Sequence, residues 1–472
     1  MQRSSFLAPV LIVALASIGG CGRSSTVNPP PPEPQSAQVT VSMTDAPPTG
    51  VTVLSFEVSL TGAALNPGNV DLLAGKGPIR IEVKKLETEA AFLSTSSIPA
   101  GNYTSLNLTF ANPELTFQNN TTSTLAGCAV GAVCEINPAG TLTSTVNGTF
   151  IITAGTQSGI LVDVNLNTLL SSTLGADFST SGAVTTSQQV REAEGELEDL
   201  DDVNGIVKSP GNNQFTLQTT DLGNITVNVD GNTEFGDFAS CTTANFSCLQ
   251  DGQSVEVDLM VMAAGTFLAK KVELEDDVAG ATEDELDGVV FKIDSATQFE
   301  MVVIDELRDV TNVSLGNPVT VVLQTASGGT SFRVDTNGLN VPSSLQNAFE
   351  ASTDTSQLLP GQTVQVSKVA LSGGPAPAAI TITTDRVRLR MTRFTAAISG
   401  APSGNNFNVA SLPALFTGAG ISQIQVQTSS QTNFENVSGI SGLADGSNVS
   451  LRGLFFLSTP NPVLIADKVR KR

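Results

Sequence analysis

The chain has 472 residues, a formal net charge of −22, no His, no Trp and a single Tyr. Without histidine, Ser-His-Asp and Cys-His nucleophile systems are excluded, as is His-ligated zinc, copper or iron. The deficit of Lys and Arg argues against a nucleic-acid partner, and the scarcity of rings removes the stacking platforms that often hold glycans.

From the N-terminus, Arg3 precedes the apolar run Phe6–Ala16, which is too short for the roughly 20 residues of a spanning helix and reads as a signal peptide over 1–20. Ile18-Gly19-Gly20-Cys21 then resembles a bacterial lipobox. The resemblance implies that Cys21 receives lipid and becomes the mature N-terminus, so the membrane is contacted through that lipid. Gly22 stands where an inner-membrane retention signal would place Asp, which implies the outer membrane, facing either the periplasm or the outside. Residues 21–38 form a tether in which Pro29–Pro32 and Pro34 favour an extended spacer.

The rest of the chain is rich in Gly, Thr, Val, Asn and Ser and lacks long 3.6-residue periodicity, so we expect an all-β protein. Its length suggests about three or four domains. The first, 39–185, opens with Val39–Pro47, continues with the alternating strand Val53–Leu60, and carries the turn Pro99-Ala100-Gly101-Asn102-Tyr103 before the strand Leu106–Phe110. These motifs, with the late strand Ile160–Leu166, resemble the family called domain of unknown function 4382. The resemblance implies a β-sandwich and brings no activity with it. Asp45 and Asp163 are carboxylates that suit a turn or a strand, and Asp45 is also a candidate Ca2+ ligand.

With Cys21 assigned to lipid, the remaining cysteines fall into two local pairs, Cys128 with Cys134 and Cys241 with Cys248. Neither pair has the C-x2-C spacing of a zinc knuckle, so two disulfides of an oxidising compartment are expected. Each contributes roughly 2 to 2.5 kcal/mol by chain entropy.

Beyond residue 200 one pattern occurs three times. Leu249-Gln-Asp-Gly252-Gln-Ser-Val255, Leu358-Leu-Pro-Gly361-Gln-Thr-Val364 and Leu443-Ala-Asp-Gly446-Ser-Asn-Val449 each read as a glycine-closed turn leading into a strand. Copies begin at Gly205-Ile-Val207, Gly288-Val-Val290 and Ala397-Ile398, and end with a basic residue before Val272, Val387 and Val469. Copies one and three add a T-x-F step, Thr233-Glu-Phe235 and Thr432-Asn-Phe434. Copy two is expected to carry an insertion, Val319 to Leu358, in its place, with a short helix from Pro342 to Phe349 capped by Ser343. About five or six strands per copy predict small barrels at 203–276, 287–392 and 393–472. The pattern resembles the repeat known as domain of unknown function 5666, found in tandem in bacterial envelope proteins.

Acidic runs at 186–202 and 277–286 read as solvated linkers. Glu196, Glu198, Asp199, Asp201, Asp276 and Asp277 are the carboxylates there that offer hard oxygen ligands for Ca2+, although neither run has the spacing of a Ca2+-binding loop. The basic end, Lys468 to Arg472, reads as solvated. No cofactor is required. The combined expectation is a non-enzymatic, lipid-anchored envelope protein of tandem β-domains that binds an envelope protein or a glycan. The alternatives are a glycan hydrolase using paired carboxylates, which needs no histidine, and a Ca2+-responsive adhesin or stalk.

Overall fold

The computed structural model describes residues 36–472, apart from 47–50, 74, 76, 89–90, 191–195, 220–221, 237, 239–240, 263–265, 276–283, 307–309, 326–327, 337 and 375–378. The expected signal peptide, Cys21, most of the expected tether, Asp276 and Asp277 lie outside the described residues. Residues Gln35–Arg472 fold as one compact unit with its own cores, and this unit is all-β.

The N-terminal domain is a β-sandwich. One sheet runs Val184–Val190, Gln157–Asn165, Ser36–Ala46, Ala91–Pro99, with Ser36–Ala46 parallel to Gln157–Asn165. The facing sheet is built on Thr52–Asn66 and Gly101–Gln118. Alternation in Leu106, Leu108 and Phe110 buries every second side chain, and these meet Ile160, Val162, Val164 and Phe178 in one core. Phe110 stacks on Phe178 with ring centroids 4.1 Å apart. In the turn before Gly101–Gln118, the Tyr103 hydroxyl donates to the Pro99 carbonyl at 2.8 Å, so the P-A-G-x-Y motif locks the corner between two strands.

Each repeat is a closed five-stranded barrel. In the first, strand Glu196–Gly211 pairs with Gln214–Gln218 and Ser254–Met262, Gln214–Gln218 pairs with Asn224–Asn228, and Phe267–Leu274 closes the ring, antiparallel to Ser254–Met262 and parallel to Asn224–Asn228. This 1-2-3-5-4-1 order, with strands three and five parallel, is the connectivity of an OB-fold barrel. The second barrel repeats it with Glu285–Ser295, Gln298–Glu306, Pro318–Leu323, Thr363–Ser367 and the pair Ile380–Thr384 and Arg386–Ile398. The third repeats it with Arg386–Ile398, Asn406–Ala410, Ile424–Gln427, Asn448–Phe456 and Val463–Lys471.

The repeated glycines do one job three times. Gly252, Gly361 and Gly446 have φ of +90°, +94° and +77°, which side chains resist. Their amides donate to the carbonyls of Val207, Val290 and Ile398 at 2.8, 2.7 and 3.0 Å, so the turn of each copy is tied to its first strand.

The middle copy has the T-x-F step that the sequence reading replaces with an insertion. Thr330-Ser331-Phe332 pairs with the closing strand as the other two do: Phe235, Phe332 and Phe434 stand opposite Val272, Val387 and Val469. The hydroxyls of Thr233, Thr330 and Thr432 donate to the carbonyls of Ala269, Thr384 and Ala466 at 2.7, 2.9 and 2.8 Å. Val319 belongs to the third strand of the barrel, and the added chain follows Val334. Its helix is Ser343–Glu350, with Pro342 at the cap position and no side-chain cap bond, so Ser343 begins the first turn instead of capping it.

Barrels two and three share one 13-residue strand, Arg386–Ile398. Thr363–Ser367 pairs with its first half and Asn448–Phe456 with its second, so the expected boundary at 392/393 falls inside a continuous strand. The acidic runs also differ from solvated linkers. Glu196 pairs with Met262 in register and Asp199 with Met260, placing the end of the first run, from Glu196 on, in the first barrel's opening strand. Glu273, Glu275 and Glu285 are buried. At the C-terminus Lys468 and Arg470 are buried against Glu435, and Arg472 donates to the Glu87 carbonyl at 2.7 Å, so the basic end is docked instead of solvated.

Candidate functional site

The sandwich packs onto barrels two and three through few but specific contacts. The Thr116 hydroxyl donates to the Gly316 carbonyl at 2.6 Å, the Asn317 amide to Glu135 at 3.0 Å, and the Leu415 amide to the Thr52 hydroxyl at 3.2 Å. Leu54, Phe291, Val302 and Leu415 form a small apolar cluster drawn from all three domains. Around it the surfaces part and leave a cavity of about 490 Å3, within the roughly 300–1,000 Å3 of small-molecule sites.

One wall is the 3-10 turn Val83–Glu87 of the sandwich. Val83, Leu86 and Glu87 are buried beneath it, and Lys84 and Lys85 line the cavity. Glu82 caps the turn, accepting from the amides of Lys85 at 2.8 Å and Phe56 at 2.7 Å. Burial pushes its carboxyl up to about 7 despite these donors and the nearby Lys85. Lys84 pairs with Glu87, and Lys85 reaches Asp305 at 2.6 Å.

The opposite wall belongs to barrel three. Arg393, Phe394 and Thr395 come from the shared strand, and Leu415 and Phe416 from the short helix Ala414–Gly418. Phe416 is fixed by Phe394 and Phe455, at centroid distances of 4.9 and 5.6 Å. It packs into the space over Gly361, where a Cβ would lie 2.2 Å from the ring.

A second, polar space of about 30 Å3, one water's share of volume, lies beside the cavity. The two share Lys85, Ile304, Thr363 and Arg393. Behind it is a buried ion network joining barrels one and two. Arg390 pairs with Glu256, with Asp335 and, at 3.0 Å, with Glu275, and its Nε lies 3.6 Å from Asp287. Arg388 pairs with Glu275, and Arg386 with Glu285. Burial first, then the acids Asp335, Glu285 and Asp287, hold Glu275 well above the usual carboxylate range against the pull of Arg388. Asp287 is pushed up to about 8 by burial and by Asp305.

Oxygens of Glu256, Glu275 and Asp335 lie within 4.8 Å of one another, close enough for a hard cation. The Arg390 guanidinium already bonds all three and supplies the positive charge there.

Among the described residues, the cluster of ligating oxygens includes none of the carboxylates singled out in sequence. Register sets Asp45 beside Val164 and Asp163 beside Thr44. Glu196, Glu198, Asp199 and Asp201 follow one another along a single strand. Glu275 and Asp287, by contrast, lie just outside the second acidic run, on either side of it, and both face Arg390. The one signal for this in the sequence is the alternation Arg386-Val-Arg388-Leu-Arg390, which puts three guanidinium groups on one face of a strand. Another carboxyl pair, Glu114 and Glu135, shares a hydrogen bond that raises Glu114 to about 8. The pair is in direct contact, leaving no space for a glycosidic bond, and it lines neither cavity. The cysteines pair as expected, Cys128 with Cys134 and Cys241 with Cys248.

No curated protein matches the chain. Among solved structures, one titled "drosophila Unr CSD456" is 12% identical over 58% of this chain and 98% of that one, with a TM-score of 0.13, a likeness too slight to bear on fold or role. Two family models match with their sequence order intact: the chain carries a DUF4382 domain of unknown function at 36–177, followed by a DUF5666 domain of unknown function at 204–273.

Proposed function

We propose that the protein is a non-enzymatic, lipid-anchored component of the bacterial cell envelope that acts as a binding module at the outer-membrane surface. The single observation that carries the binding role is the cavity of about 490 Å3 that three domains build together, apolar over most of its walls with a few convergent charged groups. The anchor rests on the lipobox resemblance at Ile18–Cys21 and the proline spacer behind it. In this reading the tether holds the folded unit off the bilayer and the junction cavity meets the ligand, without chemistry on it.

The test is photo-crosslinking in intact cells from position 417, where Thr417 lies exposed at the cavity rim. A reproducible adduct that disappears with Cys21→Ser supports a tethered binding module. Labelling at Thr417 no different from that at the exposed Ile151, which lines neither cavity, contradicts it.

A further inference from the structure

We infer that the junction cavity binds an amphipathic anion: a molecule with one carboxylate or comparable anionic head and an aliphatic or aromatic body. This inference rests on the binding role proposed above and names the ligand class.

The argument is one of charge and shape. The chain is strongly acidic, at −22 overall, yet three of the four charged residues that line this cavity are basic: Lys84, Lys85 and Arg393. The fourth, Glu82, is spent as the cap of the 3-10 turn, with its carboxylate oxygens taken by the amides of Phe56 and Lys85. Lys84 and Lys85 are held in place by acids behind them, Glu87 and Asp305, of which neither lines the cavity. Cations fixed by packed partners are preorganised for an incoming anion and lose little side-chain entropy on binding. Facing them are Leu415 and Phe416 from barrel three and Leu54 from the sandwich, an apolar wall edged by the uncharged polar side chains of Thr52, Asn120 and Thr395. A wholly polar anion would leave that surface wet. A neutral apolar molecule would meet the apolar wall and leave Lys84, Lys85 and Arg393 to the partners they already have, gaining nothing from them. An anionic head with an apolar body satisfies both walls at once. The small polar space beyond Lys85 and Arg393 has room for about one water next to the head.

The test uses the compact unit, residues 35–472, and three twelve-carbon probes, dodecanoate and dodecyltrimethylammonium below their micellar concentrations and dodecanol below its solubility limit. Calorimetric titration is expected to show one dodecanoate per chain, with the cationic and neutral probes about tenfold or more weaker, as befits loss of a charge-assisted hydrogen bond. Arg393→Gln should weaken dodecanoate about tenfold and leave dodecanol unchanged. Ala414→Trp, which fills the cavity, should abolish binding of all three. Thr417→Trp at the exposed rim serves the same purpose if the first variant does not fold. If the three probes bind equally and the tryptophan variants abolish them all, the anion inference is wrong while the cavity remains a binding site. If no probe binds, or if binding survives both tryptophans, the cavity reading itself falls.

Discussion

The two joints between the barrels solve the same problem with opposite chemistry. Barrels two and three are joined by backbone: one strand, Arg386–Ile398, serves as the last of one barrel and the first of the next. Its ladder hydrogen bonds run through the boundary, and the Thr363 amide donates to the Thr392 hydroxyl at 2.9 Å beside it. Barrels one and two are joined by charge, through Arg390 and Arg388 against Glu256 and Glu275. A shared strand fixes geometry whatever the side chains are. A buried ion network fixes it only while every member is present, because each remaining charge is then stranded in a medium that cannot solvate it. The difference teaches that acidic residues between two repeats need not mark a loose linker.

The largest effect is therefore expected at the ionic joint. Arg390→Met should cost about 3–5 kcal/mol, read in denaturant titration. Hydrogen exchange should rise in Ser254–Met262 and Phe267–Leu274 and stay unchanged in Asn448–Phe456. Equal loss in barrels one and three would break the comparison.

Next comes Gly361→Ala, where a positive φ and the Phe416 ring act together. About 3 kcal/mol is expected from strain plus overpacking, against about 1–2 kcal/mol for Gly252→Ala, whose Cβ would meet nothing within 4 Å. Thermal melts of both variants decide the order.

At the backbone joint, Thr392→Val keeps shape and removes the acceptor of the Thr363 amide, for a cost of about 1–3 kcal/mol by denaturant titration. A larger loss than that of Arg390→Met would mean that the shared strand depends on its side chains after all.

The last effect is a pH slope, to which Asp287 at the ionic joint contributes beside Glu82 and Glu114 elsewhere in the fold. The Asp287 carboxyl sits at about 8 in the fold, above its unfolded value near 3.8, so the folded form binds the extra proton. Its contribution to stability is fully present below about pH 4 and is lost as pH rises through about 8. Asp287→Asn should flatten the fall in stability between those limits. An unchanged slope would place its origin elsewhere.

Much of this fold is legible in the sequence because the relevant signals are local. Alternating Leu106, Leu108 and Phe110, the three turn glycines and the two short cysteine loops each act over a few residues, and the observed sandwich, barrels and disulfides follow them. The Thr330-Ser331-Phe332 step is hidden by spacing: in copy two it lies before an added helix, and only its pairing with Arg386–Val387 reveals its kinship with the other copies. The site is less legible for a stronger reason. Lys85 and Arg393, or Glu275 and Arg390, are far apart in sequence and meet through packing of whole domains, which no local periodicity encodes. Glu285, in the run read as solvated, is buried for the same cause, since its partner Arg386 lies 101 residues away.

The ionic joint holds barrel one against the rest in a single compact body. Small-angle X-ray scattering of residues 35–472 and of the Arg390→Met variant tests it most directly. A compact unit of this length has a radius of gyration of about 22 Å. The account predicts a value near that figure for the native chain, unaltered by Ca2+ or chelator, and a measurable expansion in the variant. A native value well above it, or one that shrinks on adding Ca2+, would contradict the claim and restore an extensible string of domains.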